Sequence, residues 1–89
     1  MKMSKSLSFG DLSFKYMHRT QPALGLIVSR KYGGAVERNR FKRQCREIFK
    51  TIMIGRGAEI VLVVRAGKHN VSFSEIQTAF IDVYDQIFD

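Results

Sequence analysis

The segment from Ala35 to Met53 leaves this chain the fewest options. Drawn at about 100° per residue, its apolar residues Phe41, Cys45, Ile48, Phe49 and Ile52 fall within an arc of about 100°. That is the stripe of a helix that buries one side. Gly33-Gly34 stands before it, where paired glycines are expected to permit positive φ and close backbone approach. Gly55 and Gly57 follow it, and Gly55 is the expected residue just past the helix end.

The flanks read differently. Leu12, Phe14 and Tyr16 alternate with Ser13, Lys15 and Met17, the period of a strand. Residues 18–22 read as a short hairpin loop leading into a second strand over 24–29, with Leu26 and Val28 on one face and Gly25, Ile27 and Ser29 on the other. The β-branched run over 59–65 suits a strand buried on both faces. Ser72-Phe-Ser-Glu75 is a capping box. It opens a last helix whose apolar stripe is Ile76, Ala79, Phe80, Val83, Tyr84 and Ile87. Residues 1–10 show no clear period and read as loop or frayed terminus. The expected order is therefore β-β-α-β-α: an α+β, two-layer sandwich of a small mixed sheet and two helices. At 89 residues, with no linker and no repeat, the chain is expected to form a single domain.

Composition narrows the partners. The net charge is +7, from 15 Lys and Arg against 8 Asp and Glu. A balance of that size selects a polyanion: RNA, DNA or an acidic membrane surface. The charge is polarised. Residues 30–50 hold eight of the cations and only Glu37 and Glu47 against them, whereas residues 75–89 hold four acids and no Lys or Arg. Cys45 is the only cysteine, which excludes an internal disulfide or a cysteine-based zinc site and fits a reducing, cytoplasmic setting. No apolar run approaches the ~20 residues of a membrane span. His18 and His69 lack partners at ligand spacing and read as surface loop residues, so neither a bound metal nor another cofactor is expected on the chain itself.

On the helix wheel, Arg38, Asn39, Lys42, Arg43, Arg46 and Lys50 fan out over about 140° on one side of the apolar stripe. Glu37, Gln44 and Glu47 take the other side. Arg38, Lys42 and Arg46 stand at i, i+4, i+8, where like charges repel by a few tenths of a kcal/mol per pair. A bound anion relieves that repulsion. Arginine meets phosphate with a planar two-pronged contact, and Asn39 can donate or accept at a base or ribose. Arg30 and Lys31 adjoin the same run. Arg65 and Lys68 flank a strand end without a motif to assign them. A charge run on a helix is most often only a solvated face; the polarised charge, the segregated wheel and the glycine entrance favour nucleic acid here, without choosing RNA over DNA.

The stretch from Gly25 to Lys50 closely resembles the protein subunit of bacterial ribonuclease P, through Arg38-Asn39, Lys42-Arg43 and Arg46-Glu47 spaced as Arg-Asn-x-x-Lys-Arg-x-x-Arg-Glu after a strand and the turn Gly33-Gly-Ala-Val36. The resemblance continues through residues 59–65 and the capping box. It implies the ribosomal protein S5 domain 2-like fold with a left-handed β-α-β crossover. It implies a ribonucleoprotein that removes the 5′ leader of precursor tRNA, with hydrolysis by a large RNA using Mg²⁺ and the protein inactive alone. Arg30, Lys31, Gly33, Gly34, Arg38, Asn39, Lys42, Arg43, Arg46 and Lys50 would then face the catalytic RNA. A cleft on the exposed sheet face would take the leader, with Tyr16 as its aromatic and Phe14, Lys15, Ile27 and Ser29 nearby, although Phe14 and Tyr16 suit a core equally well. Members of that family open with an aromatic-bearing helix that walls the cleft, and the residues before the first strand here do not read as helix. The expected state in the holoenzyme is a monomer, with a second copy covering the sheet face if that wall is missing. A ribosomal or RNA-assembly scaffold is the competing reading. A DNA-binding module ranks below both, because strands rather than a second helix flank the basic helix.

Overall fold

The computed structural model describes residues 5–67 and 70–88. The readings made for residues 1–4, Lys68, His69 and Asp89 fall outside the described residues. The elements run β1 (Lys5–Phe9), β2 (Leu12–His18), β3 (Ala23–Ile27), α1 (Ala35–Ile48), β4 (Ile60–Ala66) and α2 (Phe73–Phe88). Short 3-10 turns cover Arg30–Tyr32 and Ile54–Arg56, and a π-helical turn, Phe49–Met53, continues α1.

Two expectations about strand order are corrected. Residues 5–9 are a strand rather than a loop: β1 pairs antiparallel with β2 from Phe9↔Leu12 to Lys5↔Tyr16, so the order is β-β-β-α-β-α. The segment 18–22 does not close a hairpin, because β2 and β3 are not neighbours. The sheet order is β1-β2-β4-β3, with β4 antiparallel to β2 and parallel to β3. β4 is strongly apolar, and its place inside the sheet satisfies its backbone on both edges while burying one face completely.

β4 alternates rather than being buried throughout. Ile60, Leu62, Val64 and Ala66 are buried, whereas Val61 and Val63 are half-buried on the other face. The register aligns Leu12, Phe14 and Tyr16 of β2 with Ala66, Val64 and Leu62 on the helix-facing side. There Phe41, Cys45, Ile48, Phe49 and Ile52 come down from α1 and its π-turn, and Ile76, Ala79, Phe80 and Val83 from α2. The two amphipathic stripes read from the sequence are thus the two helical walls of one core. The outer sheet face carries Lys15, Met17, Val61, Val63, Arg65, Gly25 and Ile27 by the same alternation.

Gly57, not Gly55, ends the helical run. Its φ of 76° is left-handed, and its N–H donates to the Ile54 carbonyl at 2.9 Å. The capping box forms as read: the Ser72 N–H donates to Glu75 Oε1 at 3.0 Å, and the Glu75 N–H to Ser72 Oγ at 3.1 Å. The hydrogen bonds with Ser72, that of its backbone N–H foremost, hold the Glu75 carboxyl below the usual carboxylate range. This contribution to stability is therefore present above the ordinary glutamate pKa and is lost as pH falls through the lowered native value.

Burial pushes the Cys45 thiol up to about 12, the nearby Arg46 opposing weakly. The thiol thus stays protonated in the folded chain at neutral pH, and the thiolate is the reactive form. A thiol reagent at pH 8 is expected to label Cys45 only as fast as the chain unfolds; stoichiometric labelling within seconds in the native state would contradict that burial.

Candidate nucleic-acid interface

The residues expected to bind anions are gathered by the path from β3 into α1. β3 ends at Ile27, and Ser29 leads the 3-10 turn that exposes Arg30 and Lys31. Tyr32, the last residue of that turn, is 4% exposed. Its ring lies 5.1 Å from Phe41, and its hydroxyl accepts the Val71 N–H at 3.2 Å. Tyr32 therefore pins the basic turn to the core and to the segment that opens α2.

Gly33 and Gly34 then enter the helix, but not through positive φ. Gly33 is extended and Gly34 has φ −74°. The requirement is space: a Cβ on Gly33 would stand 2.9 Å from Glu37 Cβ, closer than side chains approach. Gly33→Ala is accordingly expected to move the first turn of α1 and lower the melting temperature by several degrees. An unchanged melting temperature, with unchanged RNA affinity, would refute the packing argument. Gly34 serves as the N-cap and supplies no side-chain acceptor, although its carbonyl receives the Arg38 N–H at 3.0 Å. The first-turn N–H groups of α1 are left without a side-chain cap.

Along α1, Asn39, Arg43 and Arg46 are exposed, while Arg38 and Lys42 are half-buried, with stems beside the apolar stripe. Lys50 is exposed in the π-turn, where the winding departs from the ideal wheel that placed it in the fan. Among the described residues, no ion pair neutralises Arg30, Lys31, Arg38, Lys42, Arg43, Arg46 or Lys50. Sequence reasoning passed over Val36, which is 72% exposed on the first turn of α1 between the glycines and Arg38. The turn Gly33-Gly-Ala-Val36 was the signal that would have included it.

The expected leader cleft is rearranged. Phe14 has no exposed surface; it packs edge-on against Phe80 with centroids 5.4 Å apart. Tyr16 lies on the same helix-facing side, half-buried against the core. Neither residue lines the outer sheet face, because side chains one apart on a strand point to opposite faces. Lys15 and Ile27 do meet on that face, where with Ser13, Val63 and Arg65 they line a small pocket of about 50 Å³. Ser29 is not among its lining residues. Arg65, unassigned by any motif, is brought there because β4 lies between β2 and β3.

A family model described as Ribonuclease P matches residues 2–87. The chain belongs to the ribonuclease P protein family. It is 46% identical over 54 residues to the ribonuclease P protein component of Dehalococcoides mccartyi, an alignment covering 61% of this chain and 45% of that relative. With the component from Finegoldia magna it shares 30% identity over 70 residues, covering 76% of this chain and 62% of the relative. The chain thus spans about half of the length of the curated relatives it matches. The ribonuclease P protein from Thermotoga maritima superposes with a TM-score of 0.78 at 26% identity, over 96% of this chain and 84% of that one. The Staphylococcus aureus protein gives 0.75 at 25% identity, over 94% and 81%. These likenesses establish the α+β sandwich as that of the ribonuclease P proteins.

Proposed function

We propose that this chain is the protein subunit of ribonuclease P, binding the catalytic RNA through α1 and its glycine turn and assisting removal of the 5′ leader from precursor tRNA. The observation that carries this reading is the unneutralised fan Arg38, Lys42, Arg43, Arg46 and Lys50 on a helix of the matched family. Cations without carboxylate partners among the described residues, on one face and beside uncapped N–H groups, present the donors that phosphate oxygens accept.

In this reading the RNA subunit performs hydrolysis with Mg²⁺, and the chain contributes binding and position. One copy acts per catalytic RNA, in the cytoplasm. The outer sheet face around Lys15, Ile27 and Arg65 receives the single-stranded leader, Lys15 and Arg65 meeting its phosphates and Ile27 and Val63 the faces of its bases. The family match speaks against a ribosomal or assembly scaffold.

Two assays test the proposal. Incubated with precursor tRNA and Mg²⁺ but no catalytic RNA, the purified chain is expected to leave the substrate intact. A cut at the mature 5′ end by the chain alone would overturn the assignment of catalysis to the RNA. For the leader face, Arg65→Ala is expected to weaken binding of precursor tRNA to the holoenzyme several-fold while leaving mature tRNA binding unchanged. Equal effects on both would remove the leader from that face.

A further inference from the structure

The end of the sheet away from the start of α1 holds a second feature of the fold. His18 pairs with Ile60 there, at the beginning of β4. An open cleft of about 510 Å³ lies beside this pair, lined by His18, Arg19, Thr20, Gly57, Glu59 and Phe88. Small-ligand sites run from roughly 300 to 1,000 Å³.

The walls of the cleft are held in place. The Arg19 N–H donates to the Glu59 carbonyl at 3.2 Å, carrying the β2–β4 ladder past its last pair. The His18 ring meets Phe88 edge-on, with centroids 5.9 Å apart at 85°, and Tyr16 at 6.0 Å and 87°. Tyr84 lies against Phe88 at 4.8 Å, and the Arg56 guanidinium backs Tyr84 at 4.7 Å. Phe88 nevertheless keeps 38% of its surface exposed. Gly57 leaves the mouth open, since no atom lies within 4 Å of where its Cβ would stand. None of the lining residues belongs to the basic fan of α1.

The geometry points to a binding site for one unpaired RNA nucleotide, with guanine preferred. Exposed aromatic rings stack on unpaired bases, whose edges are then read by neighbouring polar groups. Glu59, when ionised, offers two acceptor oxygens and no donor. Guanine alone among the four bases presents two adjacent N–H donors on its Watson–Crick edge. Thr20 offers a hydroxyl to a ribose. The site deepens the RNA-binding reading and rests on it, giving an RNA held by α1 a second anchor at the opposite end of the sheet.

The test is an NMR titration of the ¹⁵N-labelled full chain with guanosine, adenosine and cytidine 5′-monophosphate in turn, without catalytic RNA. Guanosine monophosphate is expected to produce saturable shifts in the amides of residues 18–20, 57–59 and 86–88, with affinity at least fivefold above the other two. Phe88→Ala should weaken all three nucleotides tenfold or more. Glu59→Gln, an exposed and conservative change, should abolish the preference while retaining the shifts. Arg46→Ala should leave the titration unaltered. Shifts confined to α1, no saturable shift at tens of millimolar, equal affinities in the unaltered chain, or an undiminished response in Phe88→Ala would each overturn the site. These outcomes are independent of precursor-tRNA cleavage with the catalytic RNA, where failure of the subunit reading itself would appear.

Discussion

Phe14→Ala is expected to lower the unfolding free energy by about 3–5 kcal/mol, the range for truncating a fully buried phenylalanine. Phe14 has no exposed surface, faces Val64 across β2 and β4, and packs edge-on against Phe80 at 5.4 Å and Phe9 at 6.2 Å. Removing its ring deletes a contact shared by the sheet and α2 and leaves a cavity between them. Small domains are stable by about 5–15 kcal/mol in all, so this one change consumes much of the reserve. At about 4–8 °C per kcal/mol for a domain of this size, the melting temperature should fall by roughly 12 °C or more. RNA affinity per folded molecule should hold. A variant that melts normally and loses leader binding would return Phe14 to the cleft that the sequence first suggested for it.

Replacing Arg38, Lys42 and Arg46 together by alanine should have the converse signature. All three are half-buried or exposed on α1 and form no ion pair among the described residues. Their loss removes like-charge repulsion along the helix but also the packing of the half-buried Arg38 and Lys42 stems, two opposing effects that should leave the stability of the fold changed by little. Each phosphate contact contributes about 0.7–0.9 to the slope of log K against log salt, so losing three should flatten it by at least two units. With the salt-independent part of the affinity unchanged, two units of slope correspond to about a hundredfold weaker binding at 0.1 M salt. Any one of the three alone should change the slope by about one unit or less. Binding that weakens with no change in slope would mean that these side chains do not meet phosphates.

The two helices were legible because a 3.6-residue period needs nothing but the chain itself. Phe41, Cys45, Ile48, Phe49 and Ile52, like Ile76, Ala79, Phe80 and Val83, are all buried where the wheel put them. Strand pairing was not legible, since it depends on which edges meet. Nothing local in residues 18–22 reveals that β4 will come between β2 and β3. β1 was missed although Leu7 and Phe9 alternate with Ser6 and Ser8; five residues were too short a window beside the serines and Gly10. The cleft suffered most, because its members come from three strands. Phe14 and Lys15 cannot share a face, and that much alternation already implied; that Arg65 joins Lys15 and Ile27 required the pairing itself. The basic face was legible because one helix carries nearly all of it.

The most direct test is cleavage of precursor tRNA at low Mg²⁺ by a bacterial ribonuclease P RNA, with and without this chain. The account predicts that the chain lowers the Mg²⁺ requirement and raises the rate of cutting at the mature 5′ end, and that the Arg38, Lys42 and Arg46 triple variant, folded but weakly bound, restores little of that gain. A rate and Mg²⁺ dependence identical with and without the unaltered chain, at concentrations where it binds the RNA, would contradict it.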